Sequence, residues 1–168
     1  HKYQKGFTML TLGWSDGYSF VPVGFNMLSS AKQTNRYQEI SDKIDHRTNG
    51  YKARKESLLS KPEAAILLIQ RALHAGIQAD YVLMDTWFTT EPMLAQILAC
   101  GIDSIGMVKQ LKQRYSYCGK DYTLPELRKF VRFESGKNIF GSVIVTTKTG
   151  IPVKIVIVRN RNKKSECL

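Results

Sequence analysis

Tyr81-Val82-Leu83-Met84-Asp85-Thr86-Trp87-Phe88 sets the class of fold. Its first four residues are a short continuous apolar run, the pattern of a strand buried on both faces, and the run ends abruptly at Asp85. Thr89 or Thr90 then caps a helix that carries Glu91 and Pro92 in its first turn, presents Met93, Leu94, Ile97 and Leu98 to a core, and stops at Gly101. Ile102–Val108 forms the next strand. Strand, helix, strand in this order predicts a right-handed parallel crossover and an α/β fold.

Upstream, Ser60-Lys61-Pro62-Glu63 has capping-box spacing, and Ile66, Ile69 and Leu73 follow at helical intervals until Gly76. His74 lies in the last turn of that helix, where free carbonyls and the helix dipole give it a structural part. Residues 7–14 and 18–25 flank Ser15-Asp16-Gly17 and predict a β-hairpin. Pro22 cannot donate to a ladder, so its strand is expected to be an edge or to bulge there. Residues 31–59 are polar and read as an irregular connection, with Arg47, Lys52, Arg54 and Lys55 around Asn49-Gly50 as candidate DNA contacts. Downstream, residues 109–122 are basic and tyrosine-rich, Thr123-Leu124-Pro125-Glu126 caps a short helix through Phe130, and 139–147 with 151–158 predict a second hairpin.

The chain has 168 residues, 43% of them hydrophobic, enough for one domain with a core. It contains no run of about 18 apolar residues and no signal-peptide pattern, and its first residue is not Met; it reads as a soluble segment that starts mid-protein. Cys100, Cys118 and Cys167 are scattered, with no zinc or disulfide pattern, which fits a reducing cytoplasm. The net charge of +11 is unevenly spread. Residues 1–108 hold 11 basic and 10 acidic side chains, whereas 109–168 hold 14 basic against 4 acidic, a net of +10. Such a concentration suits a polyanion, and Lys109, Lys112, Arg114, Arg159 and Arg161 join the candidate DNA contacts. A solubilising surface or an RNA-binding protein would show the same bias.

An Asp at the carboxyl end of a buried strand stands where open α/β sheets place their ligands, which makes Asp85 the leading candidate for chemistry. By position alone it could equally be an Asx turn or helix cap. Trp87 and Phe88 put two large rings beside it. Asp16, Glu63 and Asp103 are accounted for by a turn, a cap and a strand start, and Asp80 by solvent. Neither a Gly-x-Ser-x-Gly elbow, a Cys–His pair, a P-loop nor a Gly-x-Gly-x-x-Gly cradle is present, leaving metal-assisted hydrolysis as the class of chemistry.

Several segments resemble the insertion-sequence transposases of the DDE type, in the branch whose third acid lies in a Tyr-Arg-Glu-Lys motif. They are Lys5-Gly6-Phe7 through Trp14-Ser15-Asp16-Gly17 with Phe20-Val21-Pro22, Arg47-Thr48-Asn49-Gly50-Tyr51-Lys52, and above all Tyr81 through Thr89. The resemblance covers the chain to about Lys109 and implies a ribonuclease-H-like mixed sheet, with 109–168 as a basic β-rich insertion in the same domain. It further implies phosphodiester hydrolysis and strand transfer at transposon ends by three carboxylates holding divalent cations, magnesium or manganese. Asp85 matches the second acid. The first is expected on a strand ending before His1 and the third on a helix after the insertion, so the chain alone is expected to be inactive. DNA, both transposon end and target, is the implied partner, with the parent protein dimeric on DNA in the nucleoid of a bacterial cytoplasm. Within the chain, only Tyr51 and Arg54 have the first spacing of the Tyr-Arg-Glu-Lys motif, and Leu58 occupies the glutamate position.

Two other readings compete. One is a different ribonuclease-H-like nuclease. The other is a non-catalytic nucleic-acid-binding module, with Tyr115, Tyr117 and Tyr122 as stacking platforms.

Overall fold

The computed structural model describes residues 8–109, 113–131 and 139–158. Its first two strands, β1 (Thr8–Ser15) and β2 (Phe20–Leu28), pair antiparallel as the expected hairpin. The turn is closed by Asp16, whose Oδ1 accepts from the amides of Ser19 at 2.6 Å and Tyr18 at 2.9 Å, and Gly17 adopts φ +93°. Opposite Leu12 stands Gly24, but opposite Gly13 stands Pro22, which leaves Val23 as an extra residue. The bulge falls beside the proline, where a ladder donor is missing.

The expected irregular connection over 31–59 is corrected by the structure, since it contains a 3-10 turn at Gln33–Asn35 and a helix, α1 (Asn49–Glu56). Thr48 Oγ1 caps α1 by accepting from the Tyr51 amide at 3.3 Å. Arg71, on the following helix α2 (Lys61–His74), grips Glu56 with two hydrogen bonds, of 2.8 and 2.5 Å. No residue of α1 is buried. Lacking an apolar stripe, it carries no periodic signal, and its support comes from a residue fifteen positions away.

Helix α2 follows the sequence reading closely: Ser60 and Glu63 form the capping box, and Gly76 ends the helix at φ +85°. His74 Nδ1 lies 3.2 Å from the Gln70 carbonyl, the contact with a terminal carbonyl that its position predicted. Ala64, Ile66, Leu68, Ile69 and Ala72 are buried, and α2 packs against β1 and β2. Contact is close enough that a Cβ on Gly24 would stand 3.2 Å from Leu68 Cδ2. The other face of the hairpin carries Met9, Phe25 and Met27, all exposed.

Strands β3 (Tyr81–Met84) and β4 (Asp103–Gly106) hydrogen-bond to each other, and α3 (Glu91–Ala99) lies between them in sequence. Two expectations are corrected here. Strand β3 is not buried on both faces: Tyr81 and Leu83 are 53% and 73% exposed, alternating with half-buried Val82 and Met84. Strand β4 is shorter than 102–108, and its Ile105 is also exposed. An apolar run reports what could be covered, and among the described residues only one face of this two-stranded sheet is. On α3, Met93 and Ile97 are buried and Leu94 is half-buried, but Leu98 is exposed.

Contacts divide the described chain into two compact units, one running to Leu83 with Gln96–Ile105 added, the other comprising Met84–Ala95 and the chain from Gly106 onward. The second unit holds a four-stranded sheet in the order β6-β5-β7-β8, built from β5 (Tyr115–Tyr117), β6 (Lys120–Tyr122), β7 (Ile139–Thr146) and β8 (Pro152–Val158). The β7–β8 hairpin was legible in sequence. The β5–β6 hairpin was not, because its two-residue turn is Cys118-Gly119, with φ of +49° and +77°, where Asn-Gly is the usual signal. Helix α4 (Leu124–Leu127), continued by a 3-10 turn to Phe130, seats Leu127 in a core with Tyr115, Val131, Val143 and Val145. The architecture is mixed α/β. Among the described residues, no helix is long and apolar enough to cross a membrane.

Candidate functional site at Asp85

Asp85 stands at the end of β3 and is exposed. Its Oδ1 accepts from the amides of Trp87 at 2.8 Å and Phe88 at 3.2 Å, an Asx turn that fixes the carboxylate while spending only one of its oxygens. The Asp85 carbonyl in turn accepts from the Thr89 hydroxyl at 2.6 Å and the Thr89 amide at 3.2 Å. Gly106 makes room for this, since a Cβ there would fall 2.3 Å from Thr89 Oγ1. A glycine on β4 therefore lets the Asp85–Thr89 turn lie against the strand. The turn reading and the functional reading of Asp85 are compatible, because Oδ2 accepts no hydrogen bond among the described residues and the residue is exposed.

Trp87 and Phe88 meet edge to face, with centroids 4.9 Å apart and planes at 76°. Phe88 is half-buried, whereas Trp87 remains 49% exposed. Trp87 and Lys109 line one cavity of about 400 Å³. Asp85, Trp87 and Phe88 share one turn, and Lys109, a candidate DNA contact, lines the same cavity as Trp87.

The other predicted contacts are distributed. Arg47 pairs with Asp45 through Nε–Oδ1 and Nη2–Oδ2 distances of 3.3 and 3.1 Å, and its side chain is 91% exposed. Such a surface pair contributes about 0–1 kcal/mol and would yield easily to a phosphate. Arg54 Nη1 donates to the Gly50 carbonyl at 2.9 Å, on its own helix. Lys52 and Lys55 are exposed one turn apart on α1. Arg114 Nη1 donates weakly to the Asp121 carbonyl at 3.3 Å. Lys112, Arg159 and Arg161 lie outside the described residues. Of the three proposed stacking tyrosines, Tyr115 is only 4% exposed and belongs to the core, so it offers no platform. Tyr117 and Tyr122 are half-buried around Phe130, with centroid distances of 5.6 and 4.9 Å.

Glu91 has a part that its sequence position did not reveal. Its Oε1 accepts from both the amide and the hydroxyl of Thr149 at 2.6 Å, tying the start of α3 to the β7–β8 turn, 58 residues away. The hydroxyls of Thr147 and Thr149 and the Thr149 amide hold the Glu91 carboxyl below its ordinary range. A depressed carboxyl stabilises the folded state above the unfolded pKa, near 4.5, and loses that contribution as pH falls through the lower folded value. Glu91→Gln is expected to weaken protection of the Thr149 amide by about 1 kcal/mol at neutral pH, after discounting for solvent screening, and to abolish its acid dependence. Amide exchange followed by NMR at several pH values measures both; unchanged protection would show the tie to be incidental.

Asp85 fits one oxygen ligand of a hard cation. Among the described residues, no group of three His, Cys, Asp or Glu side chains could hold a metal ion, so these residues alone do not make the two-cation site that the resemblance implies. No protein family, no curated protein and no solved structure matches this chain.

Proposed function

We propose that this chain is part of the ribonuclease-H-like catalytic core of a DDE-type DNA transposase, with Asp85 as one of its metal-binding carboxylates. The observation that carries the reading is the exposed Asp85 carboxylate at the end of β3, held by two backbone amides with its second oxygen unspent, inside the Asp85-Thr86-Trp87-Phe88 turn. The net charge of +10 over residues 109–168 supports a DNA partner. On this reading the companion acids come from sequence flanking the chain, the cations are magnesium or manganese, and the substrates are transposon ends and target DNA in a bacterial nucleoid.

What the chain's own residues contribute is grip and orientation. Arg47, Lys52 and Lys55 present charge to the phosphate backbone, and the Asx turn holds Asp85 in place without a contribution from its free oxygen. The test has two arms. The purified chain is expected to bind duplex DNA with an affinity that falls steeply with salt, and Lys52→Ala with Lys55→Ala is expected to reduce the slope of log K against log salt by about 2. The same chain is not expected to cut, whereas the protein extended by its flanking reading frame is expected to nick transposon-end DNA in magnesium. Salt-independent binding, or metal-dependent nicking by the chain alone, would overturn the proposal.

A further inference from the structure

Strand β8 is the last of its sheet, with β7 on one side and no strand among the described residues on the other. Which of its backbone groups face the open side follows from the hairpin turn. The Thr147 amide donates to the Ile151 carbonyl at 2.9 Å, so Ile151 turns its backbone groups toward β7, and by the alternation of an antiparallel ladder Val153, Ile155 and Ile157 do the same. Pro152, Lys154, Val156 and Val158 therefore turn theirs outward. Pro152 has no N–H to leave unpaired, but the amides of Lys154, Val156 and Val158 donate to nothing among the described residues. Native sheets blunt such an edge with charge, proline or a bulge. Here Lys154 is the only charge, and every other residue from Val153 to Val158 is valine or isoleucine. Both faces of the edge are apolar. Val156 and Val158, 43% and 38% exposed, share the outer face with exposed Ile139 and Ile144 of β7, while Ile155 and Ile157 are half-buried against the core around Leu127.

We infer that β8 pairs antiparallel with β8 of a second copy of this chain across a two-fold axis at Val156, joining the two sheets into one continuous sheet. Charge and hydrogen bonding select this occupant and this register. Centred on Lys154, the pair would set two ammonium groups directly opposite each other. Centred on Ile155, it would set Pro152 opposite the partner's Val158 and lose a donor there. Registers centred nearer either end overlap over fewer residues. Centred on Val156, the pair sets Lys154 opposite the partner's Val158, keeps the two charges apart, and lets Lys154, Val156 and Val158 each donate and accept across the seam. Val156 then meets the partner's Val156 on one face, and Ile155 meets the partner's Ile157 on the other. The strand is thus complementary to itself in charge, in hydrogen-bond phase and in apolar surface.

This association needs no nucleic acid, so it is tested by sedimentation of the purified chain without DNA and stands or falls apart from the function proposed above. Wild-type protein is expected to pass from monomer to dimer with rising concentration, and exchange of the Lys154 and Val156 amides to slow as the dimer forms. Val156→Pro removes one outward donor from each copy and none from the β7–β8 ladder. It is expected to keep the monomer's fold and to weaken dimerisation by at least about 5-fold, the effect of two lost hydrogen bonds. Val156→Lys places two like charges on the axis, is expected to have the same effect, and serves if the proline variant does not fold. Val156→Cys is expected to form a disulfide-linked dimer in air beyond the level of wild type, because residues facing each other in such a pair stand about 5.5 Å apart at Cα. Lys154→Cys is expected to link no more than wild type does. A chain that stays monomeric up to about 1 mM, or a dimer that Val156→Pro and Val156→Lys leave intact, overturns the inference. So does protection of the Lys154 and Val156 amides in the monomer, which would mean that another segment of the same chain covers the edge.

Discussion

Asp85→Asn is expected to abolish DNA cleavage by the flank-extended protein while leaving its fold and its DNA affinity unchanged. The substitution separates the turn that Asp85 closes from the metal-binding role proposed for it. An asparagine keeps an acceptor oxygen for the amides of Trp87 and Phe88, so the Asx turn survives. It replaces the charged ligand by a neutral amide oxygen, which holds a hard cation more weakly. Loss of one essential active-site group lowers kcat on the order of 10³-fold or more, and that loss is expected here in a nicking assay with magnesium. Asp85→Ala removes both the charge and the turn acceptor, and is expected to lose activity and some stability together. Should Asp85→Asn retain activity and only Asp85→Ala lose it, Asp85 is a turn residue and its catalytic assignment fails. Amide exchange at Trp87 and Phe88 provides the control that the turn is intact.

The second large effect is on the fold. Leu127→Ala is expected to destabilise the unit containing β5 to β8 by about 2–5 kcal/mol, the range for emptying a buried leucine site. Leu127 is 1% exposed and sits among Tyr115, Val131, Val143 and Val145. Among the described residues this core has five buried side chains, which leaves little redundancy, and a whole domain is commonly stable by only about 5–15 kcal/mol. Leu127 also joins α4 to the sheet, because Glu126 Oε2 accepts from the Thr123 amide and hydroxyl at 2.7 and 2.8 Å and so sets the turn from which Leu127 projects. In urea the variant's midpoint should fall with little change in slope. A shift below about 1 kcal/mol would mean that the site collapses around the alanine, and that this core is less closely packed than its burial indicates.

Elements whose signals are local were legible from the sequence. The capping box at Ser60 and Glu63 with Pro62 and Gly76 gave α2 almost to the residue, because the groups that start and stop a helix lie within it. Pro22 foretold a bulge because a missing amide donor is a property of one residue. Elements held by distant partners were illegible. Helix α1 buries no residue and is tied by Arg71 gripping Glu56, so no apolar periodicity marks it, and the tie between Glu91 and Thr149 left no mark although the β7–β8 hairpin itself was legible. The β5–β6 hairpin hid behind a cysteine in a left-handed conformation that sequence statistics assign to asparagine or glycine.

By itself, then, the sequence determined the mixed α/β order of elements and the place of Asp85 at a strand end, since periodicity, caps and turn residues act over a few positions. Tertiary structure alone decided which apolar faces are covered: Tyr81 and Leu83 are exposed despite their hydrophobicity, and Tyr115 is buried despite its place among basic residues. It also decided that Asp85 spends one oxygen on its turn and keeps the other open, and that Lys109 meets Trp87 at one cavity. Burial and juxtaposition depend on what the rest of the chain brings alongside, and no local pattern of residues encodes that.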